Sequence, residues 1–385
     1  MSLPMDEIIE IGAERLRLRL ERVVPPPVIN VRDYGAKGDG ITEDSAALRR
    51  AQYAVPEGGT LKFPAGKYLL SEPLLLDVPG AHVVGELGAF LIHGQNRGVE
   101  IDADGVELRD LSLIGRPGLY LPNNNKAHGI LIGKDVQKTV IERCRLQGPG
   151  NGIYALPGSA RTVITECQIT GWGGSALGLS GSSTIVSKCL FEQDDPVREP
   201  RQSGHGVYLH SGAHDILITD CKFRNVRDTG FHCYGQEAGT TIERVTVRRT
   251  WFEGCQIAAL IASFPGTASR AKEILFEDCS FTSSYASIAV VIRHGDGIVM
   301  ERCWIAHTPG GTGIAVGYWA PWEPRPNSLT GFRMTNCHVE NCAIGIYPAT
   351  FGRGTFEGCR IGPNKVTNCP RPYVWEPTVG MEVII

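Results

Sequence analysis

One short pattern, repeated along the chain, restricts the fold more than any other feature of the sequence. Its first copy is residues 140–146 (VIERCRL), in which an apolar residue lies two positions after a cysteine and another lies four positions before it. Two copies place Leu111 and Thr250 in the cysteine slot, and neighbouring slots are 22 to 34 residues apart. Eight cysteines occupy the slot: Cys144, Cys167, Cys189, Cys221, Cys279, Cys303, Cys337 and Cys359.

This repeat predicts a parallel β-helix. Each copy has the alternation of a short strand, and most units contain another strand that opens with glycine, as at residues 152–155 and 206–209. A polar residue two positions before the slot interrupts the alternation and predicts a bend there. Units of 22 to 34 residues leave no room for a βαβ unit each time. A β-helix instead stacks equivalent residues of successive coils about 4.8 Å apart. We therefore expect an all-β chain that forms a single-stranded parallel β-helix of about ten coils.

The cysteines are expected to be free thiols. The chain has 12 cysteines among 385 residues, and it begins MSLPMDEIIE, without the basic start and continuous apolar run of a secretory signal. Disulfides are rare in proteins that stay in a reducing compartment. Because a free cysteine behaves as a small apolar side chain, a column of cysteines suits a narrow interior.

The region before the repeats predicts a strand, a helix and a second strand. Residues 28–31 (VINV) form the first strand, and Thr42 is the expected N-cap of a helix over about residues 43–54. Residues 60–63 (TLKF) begin the next strand. Such a helix could cover the open end of a β-helix, whose unpaired strand edges favour aggregation. The apolar face of the helix consists of Ala47, Leu48 and Ala51.

The same region resembles the N-terminal motif of the pectate-lyase-like superfamily. The matching residues are 33–40 (DYGAKGDG), Asp44 and 63–68 (FPAGKY). Members of this superfamily fold as right-handed parallel β-helices, so the resemblance implies that handedness here. It leaves the activity open, because the superfamily includes polysaccharide lyases, glycoside hydrolases, epimerases and phage tailspikes.

The two ends of the chain are expected to lie outside the β-helix, which we assign to residues 28–362. Residues 5–24 suggest an amphipathic helix that is followed by the stiff spacer Pro25-Pro26-Pro27, so residues 1–27 could form an adaptor to a larger assembly. The alternative is that this helix packs on the first coil. Residues 363–385 are expected to cap the far end or to pack between subunits.

Charge and motif content exclude several classes of function. Lys plus Arg number 38 and Asp plus Glu 41, and a net charge of -3 argues against binding nucleic acid through phosphate contacts. No run of about 18 apolar residues predicts a membrane span. Zinc-site, EF-hand and P-loop spacings are absent from the sequence, so neither a metal nor a cofactor is predicted, although the Asp clusters leave a calcium site open.

Function is expected in the turns, because the strands of a β-helix build its core. The long turns are residues 115–128, 192–205 and 318–331, and the second is the richest in charged groups. If Val207 and Leu209 point inward, their neighbours in the strand must point outward. The predicted catalytic residues are Asp194, Asp195, Glu199, His205 and Asp228. The predicted substrate-binding residues are Tyr208, His210, His232, Tyr234, Arg198, Arg201, Trp319 and Trp322.

These residues are compatible with two kinds of polysaccharide cleavage. Glycoside hydrolysis needs two carboxyl groups about 5 to 10 Å apart, whereas lysis of a uronate needs a base and a cation that neutralises the sugar carboxylate. The alternative is that the acids are solvated turn charges and the histidines an exposed row without chemistry. Asp194-Asp195 and Gly204-His205-Gly206 are similar to motifs of the polygalacturonase family. However, that family's Asn-Thr-Asp and Arg-Ile-Lys segments are missing.

We favour a phage tailspike-like protein among three functions. It would be a homotrimer on the virion tail, made in the host cytoplasm, that binds a bacterial surface polysaccharide, either with or without cleaving it. Trp319 and Trp322 would then stack on sugar rings, or pack against a partner subunit. The alternatives are a stand-alone polyuronide lyase or glycosidase, extracellular or cytoplasmic, and a non-catalytic adhesive β-helix.

Overall fold

The computed structural model shows a chain that winds repeatedly through three parallel β-sheets. It describes residues 7–11, 14–18, 27–93, 97–115, 127–193, 204–235, 240–263, 270–283, 288–307, 310–317, 328–348, 355–374 and 380–384, with the backbone alone for residues 7–18, 234–235 and 263. Within each coil the chain passes through a strand of sheet I, then of sheet II, then of sheet III. No helix among the described residues is long and apolar enough to cross a membrane.

The strands of the three sheets follow in chain order. Those of sheet I are Val28–Asn30, Thr60–Phe63, His82–Gly85, Glu107–Arg109, Val140–Glu142, Val163–Thr165, Ser182–Ser187, His214–Thr219, Thr241–Arg248, Arg270–Glu277, Gly295–Asp296, Val299–Glu301, Ser328–Thr330, Arg333–Thr335, Thr355–Glu357, Cys359–Ile361 and Met381–Val383. Those of sheet II are Asp39–Glu43, Gly66–Leu70, Ala89–His93, Ser112–Ile114, Arg145–Gln147, Gln168–Thr170, Leu190–Glu192, Lys222–Arg224, Trp251–Cys255, Ser280–Ser283, Trp304–His307, His338–Glu340 and Lys365–Thr367. Those of sheet III are Leu74–Leu76, Val99–Ile101, His128–Ile132, Asn151–Ala155, Ser175–Leu179, His205–Leu209, Thr229–Gly235, Ile257–Ser263, Ile288–Ile292, Thr312–Val316, Ile344–Pro348 and Arg371–Tyr373.

The core is a column inside these sheets, because each strand points alternate side chains inward. In sheet I, Leu108 pairs with Ile141, which pairs with Ile164, and all three side chains are fully buried. Within the described residues sheet III has 12 strands and sheet II has 13, so the helix is longer than the expected ten coils. The predicted all-β parallel architecture is confirmed.

The cysteine column predicted from the repeat is present. Arg145 pairs with Gln168 in sheet II, which aligns the residues just before them, Cys144 and Cys167. The backbone N–H of Cys167 donates to Sγ of Cys189, the next residue of the column, at 3.4 Å. All twelve cysteines are free thiols, and eleven of them are buried. Burial raises the pKa of the Cys233 thiol to about 12, so this thiol remains protonated and weakly reactive.

Cys359 is an exception, and its assignment to the slot is wrong. The register pairs Arg333 with Arg360, so Cys359 lies beside Phe332 at the preceding corner of the coil. The residue that follows Cys337 in the column is Asn364, whose Oδ1 accepts the N–H of Cys337 at 2.9 Å. A local sequence match cannot reveal this shift, because the number of residues per coil changes between 337 and 364.

The bend between sheets I and II lies directly before the slot, one residue later than predicted. The bend residues have left-handed backbones, for example Arg143 with φ 51° and Asp220 with φ 56°. Their charges alternate in sign from coil to coil, and neighbours form ion pairs, as between Arg249 and Asp220 with Nε–Oδ1 at 2.7 Å. The series is Asp110, Arg143, Glu166, Lys188, Asp220, Arg249, Asp278 and Arg302.

Reversing one charge of this series should destabilise the fold. In the Arg249→Asp variant a carboxylate lies between those of Asp220 and Asp278, so attraction becomes repulsion on both sides. We expect a lower urea midpoint at low ionic strength, with the loss shrinking at about 1 M salt, where the Debye length is ~3 Å. Arg249→Asn is the matched control, because asparagine tolerates a left-handed backbone and carries no charge. Equal losses for both variants at all salt concentrations would contradict the electrostatic explanation.

Phenylalanines form a second stack on the inner face of sheet II. Phe191 stacks on Phe223 with ring centroids 4.4 Å apart, Phe223 on Phe252 at 4.9 Å and Phe252 on Phe281 at 5.4 Å. The ring planes lie within 11° of parallel, and all four side chains are fully buried. The stack fills the middle coils of the β-helix.

The glycines that open the strands of sheet III are required by close packing. A Cβ atom on Gly206 would lie 2.4 Å from the carbonyl oxygen of Gly230 and 2.8 Å from the ring of Phe223. The equivalent residue in other coils is also small, as at Gly152 and Ala176. A small residue at this position therefore allows the next coil to pack closely against the strand.

The N-terminal region differs from the prediction in two details. The first strand ends at Asn30, and a 3₁₀ helix, Val31–Tyr34, follows it. The α-helix is Ser45–Tyr53 and begins two residues later than predicted, because Thr42 lies in strand Asp39–Glu43 and donates its hydroxyl to Asp39 Oδ2 at 2.8 Å. Its predicted apolar face is confirmed as part of the core: Ala47, Leu48 and Ala51.

The predicted boundaries at both ends also change. The helix expected over residues 5–24 is wrong, since strands Glu7–Ile11 and Glu14–Leu18 pair antiparallel there. The alternation of charged and apolar residues in ERLRL has the period of a strand. At the other end, strands beyond residue 362 extend all three sheets, so the β-helix reaches strand Met381–Val383.

Candidate functional site

A cluster of aromatic and imidazole side chains lies on the outer face of sheet III in the middle coils. The register aligns Tyr154, Gly178, Tyr208 and His232 in one row across four successive strands. The row continues along the sheet to Ala315 and Tyr347, and we call it the outer row. Its side chains point away from the core because Val207 and Leu209, the neighbours of Tyr208, are fully buried inside.

Tyr154 and His210 are joined across an intervening coil. The Tyr154 hydroxyl lies 2.7 Å from His210 Nε2. The strand between them carries Gly178 in the outer row, and a Cβ atom there would lie 2.3 Å from the Tyr154 ring. The absence of a side chain at Gly178 therefore allows the Tyr154 ring to lean over it toward His210.

A second pair, His205 and His232, lies next to the first. Their Nδ1 atoms are 3.0 Å apart, so one imidazole donates to the other, and the rings meet edge to face. Asp228 Oδ2 lies 3.7 Å from His205 Nδ1, too far for a good hydrogen bond but close enough for charge attraction. The Asp228 side chain is 34% exposed, whereas that of His205 is 12% exposed. Asp228 is therefore the solvent-facing end of this group.

Tyr208 connects the two pairs. Its ring centroid is 4.3 Å from that of His210, 4.8 Å from His232 and 5.1 Å from His205. Tyr208 is only 8% exposed, because its aromatic neighbours cover it. It does point outward as predicted, so it forms the floor of the cluster.

Burial keeps the members of the cluster uncharged. It lowers the pKa of His210 to about 4 and raises that of Tyr154 to about 12. Burial also lowers the pKa of His232, and it lowers that of His205 despite the opposing effect of Asp228. Near neutral pH the Tyr154 phenol therefore keeps its proton, and it donates this hydrogen to Nε2 in the His210 tautomer that is protonated on Nδ1.

The arrangement provides a proton acceptor and a proton donor side by side on one surface. A neutral imidazole accepts a proton, and a phenol can give one up to a leaving oxygen atom. Among the described residues, no group of three or more His, Cys, Asp or Glu side chains could hold a metal ion. The chemistry that these residues support is acid–base catalysis.

The structure brings five of the predicted site residues together: His205, Asp228, Tyr208, His210 and His232. Tyr234 lies in strand Thr229–Gly235, and its side chain is outside the described set. The other predictions also fall outside the described residues, namely Asp194, Asp195, Arg198, Glu199, Arg201, Trp319 and Trp322.

The rich turn nevertheless begins and ends beside the cluster. Gln193, the last described residue before it, is buried, and its side chain donates to the Trp172 carbonyl at 3.1 Å and accepts the N–H of Arg227 at 2.9 Å. Gly204, the first described residue after it, accepts the N–H of Asp228 at 3.4 Å. The ends of the turn are thus anchored next to His205.

The predicted site residues include neither Tyr154, whose hydroxyl contacts His210, nor His128. The rings of His128 and Tyr154 are 4.8 Å apart, so His128 extends the cluster by one coil. The sequence feature that could have indicated the contact between Tyr154 and His210 is the lone Gly178 in a row of larger side chains. Its meaning depends on the register of three strands.

Filling the space at Gly178 should disrupt the cluster without unfolding the protein. The methyl group of a Gly178→Ala variant would displace the Tyr154 ring and lengthen its bond to His210. If the pair is catalytic, we expect turnover of a cleaved polysaccharide to fall by about tenfold or more, with thermal stability changing little. The control is Ala315→Gly, which changes a residue of the same outer row far from the pair. Another glycine, Gly212, is unsuitable as a control position because its backbone is left-handed, with φ 88°. Full turnover in Gly178→Ala would exclude a need for this geometry.

Two family models match the chain. Residues 92–247 match the model described as "Right handed beta helix region", and residues 28–106 match "Rhamnogalacturonase A/epimerase, pectate lyase-like". Among curated proteins, a 60-residue segment is 40% identical to the Non-secreted LysM effector LysM15 of Penicillium expansum. That match covers 12% of this chain and 4% of the effector.

Solved structures with similar folds include a catalytic domain, a tailspike protein and an epimerase module. The Agl-KA catalytic domain has a TM-score of 0.69 and 12% identity, covering 93% of this chain and 68% of its own. The Dettilon tailspike protein has a TM-score of 0.62 and 14% identity, with coverage of 92% and 68%. The A-module of the mannuronan C-5 epimerase AlgE4 of Azotobacter vinelandii has a TM-score of 0.57 and 15% identity. The match covers 92% of this chain and 100% of that module. The chain is therefore a right-handed parallel β-helix, and its residues 28–106 are similar to the pectate lyase-like family model.

Proposed function

We propose that this chain is a tailspike-like protein that binds an acidic bacterial surface polysaccharide on the outer face of sheet III and cleaves it by elimination. The observation that carries the proposal is the 2.7 Å contact between the Tyr154 hydroxyl and His210 Nε2, on a surface where both groups are neutral. Groups whose pKa values are strongly shifted by burial cluster at functional sites.

Elimination at a uronate needs the two groups in succession. An imidazole of the cluster takes the C5 proton, which is acidified by the sugar carboxyl group. The electron pair forms the C4–C5 double bond, the C4–O bond breaks, and a phenol gives its proton to the departing oxygen. Arg198 and Arg201 are our candidates for binding the sugar carboxylate, since their turn begins and ends beside His205.

Hydrolysis is supported less well. It requires two carboxyl groups that face each other across the scissile bond. Within the described residues, Asp228 supplies the carboxylate that contacts the cluster. The second carboxylate would have to come from Asp194, Asp195 or Glu199. Elimination needs neither of these two carboxylates, and the neutral histidines are suited to taking the C5 proton.

The relatives support the polysaccharide part of the proposal. One is a tailspike and another an epimerase that acts on mannuronan, and all share this fold at low identity. Abstraction of a C5 proton is common to epimerisation and elimination, so the cluster is compatible with either outcome. The homotrimer and the place on a virion tail are proposed from the tailspike likeness, with residues 1–27 as the link to a larger assembly.

Incubation with acidic capsular and cell-wall polysaccharides tests the reaction. We expect a rise in ultraviolet absorbance from the unsaturated uronate, together with shorter chains. New reducing ends without the absorbance would indicate hydrolysis, and C5 inversion without shortening would indicate epimerisation. Binding without any of these would leave an adhesive protein. Mass measurement in solution tests assembly, and we expect three times the 41.8 kDa of the chain.

A further inference from the structure

A cavity lies on the outer face of sheet II, far along the β-helix from the cluster on sheet III. Its volume is about 780 Å³, within the range of ligand sites. It spans the last four strands of the sheet and the corners that follow them. The described residues that line it include Thr282, Ser283, Trp304, His307, Asn341 and Asn368.

Trp304 forms one wall of this cavity and faces solvent. Its neighbour Ile305 is fully buried in the core, so the indole points outward, and the residue is 38% exposed. Exposing this much of a tryptophan gives up part of the burial free energy that the side chain could contribute. The flat indole beside a hollow is suited to stacking on the apolar face of a sugar ring.

Asn341 and Asn368 supply polar groups at the opposite wall. Both have left-handed backbones, with φ 57° and 53°, and Asn368 Nδ2 donates to Asn341 Oδ1 at 3.2 Å. The equivalent corners of earlier coils carry either glycine, as at Gly148 and Gly171, or asparagine, as at Asn225. Backbone conformation therefore does not require an amide side chain here, and the two asparagines add donors and acceptors to the cavity.

The lining carries no fixed charge. None of the described residues around the cavity is Asp, Glu, Lys or Arg, and Ser283, Thr282 and His307 add hydroxyl and imidazole groups. An acidic sugar would find no cation there. An aromatic wall with amides and hydroxyls is a setting for neutral hydroxylated rings.

We propose that this cavity is a second glycan-binding site, separate from the cluster on sheet III, that holds an uncharged pyranose stacked on Trp304. The site would bind neutral sugar units of a surface polysaccharide while the cluster acts on acidic ones. The proposal does not depend on the reaction at the cluster, because the two sites lie on different sheets and use different residues.

The test measures binding of wild type and variants to a printed array of bacterial capsular and O-antigen polysaccharides that includes neutral repeat units. We expect Trp304→Ala to weaken binding of neutral glycans by about tenfold or more. Trp251→Ala is the matched control, because Trp251 lies in the same outward row two strands earlier, is 43% exposed and does not line the cavity. It should retain wild-type binding.

A second variant separates binding from folding. Asn341→Gly keeps a residue that favours the left-handed backbone and removes the amide, so it should fold normally and bind neutral glycans more weakly. Cleavage of an acidic polysaccharide should be unchanged in both Trp304→Ala and Asn341→Gly. The proposal is overturned if no neutral glycan on the array depends on Trp304. It is also overturned if Trp304→Ala alters the mass in solution, which would identify a subunit contact.

Discussion

Replacing Tyr154 by phenylalanine should lower turnover of the cleaved polysaccharide by about 10²- to 10⁴-fold, the usual contribution of a general acid or base. The substitution removes one oxygen atom, and with it the hydrogen bond to His210, but leaves the ring over Gly178. His210→Ala should cause a similar loss. Because the two groups act as a pair, the double variant should be little worse than either single one.

The control is Tyr347→Phe, which changes a tyrosine of the same outer row at the far end of sheet III. It should keep full turnover. The dependence of kcat/KM on pH gives a second check. An ordinary histidine loses its lone pair to a proton below about pH 6.5. Burial lowers the pKa of His210 to about 4, so its acid limb should lie near pH 4. An acid limb near pH 6.5, or normal turnover in Tyr154→Phe, would exclude this pair as the catalytic one.

Truncating Phe252 to alanine should have the largest effect on stability. Its ring lies between those of Phe223 and Phe281, and removing it leaves a cavity that stacked neighbours on both sides cannot fill. Large-to-small changes of a buried phenylalanine cost about 3 to 5 kcal/mol. Urea unfolding followed by circular dichroism should show this loss as a lower unfolding midpoint.

Trp251→Ala is again the useful comparison, because Trp251 precedes Phe252 in the same strand and points outward. A surface change of this kind should alter the free energy of unfolding by about 0.5 kcal/mol or less. Phe252→Leu should fall between the two. Equal destabilisation by the inward and outward substitutions would mean that the stack contributes little.

The sequence predicted the core well because the core repeats. A cysteine in the same slot of successive coils is visible without a structure, and the column from Cys144 to Cys337 is present. The assignment of Cys359 failed where the coil length changed. The alternating charges of residues such as Asp220 and Arg249 were in the sequence too, but their pairing requires knowing which residues stack.

The site was predictable only in part. Alternation within one strand placed Tyr208 and His210 outward, yet it could not show that Tyr208 is covered by its neighbours. The bond between Tyr154 and His210 joins residues 56 positions apart and depends on the empty space at Gly178. Such contacts arise from the register of three strands, which no local pattern contains.

Stacking of near-identical coils also bears on how proteins of this kind change over time. A coil duplicated within the sheets would meet the same cross-section above and below, so its hydrogen bonds and inward side chains would find partners at once. The number of coils can then change while the cluster on sheet III stays intact on its own few coils. The one series that such a duplication would disturb is the row of alternating charges, where a single added coil brings like charges together. Additions in pairs would avoid this conflict.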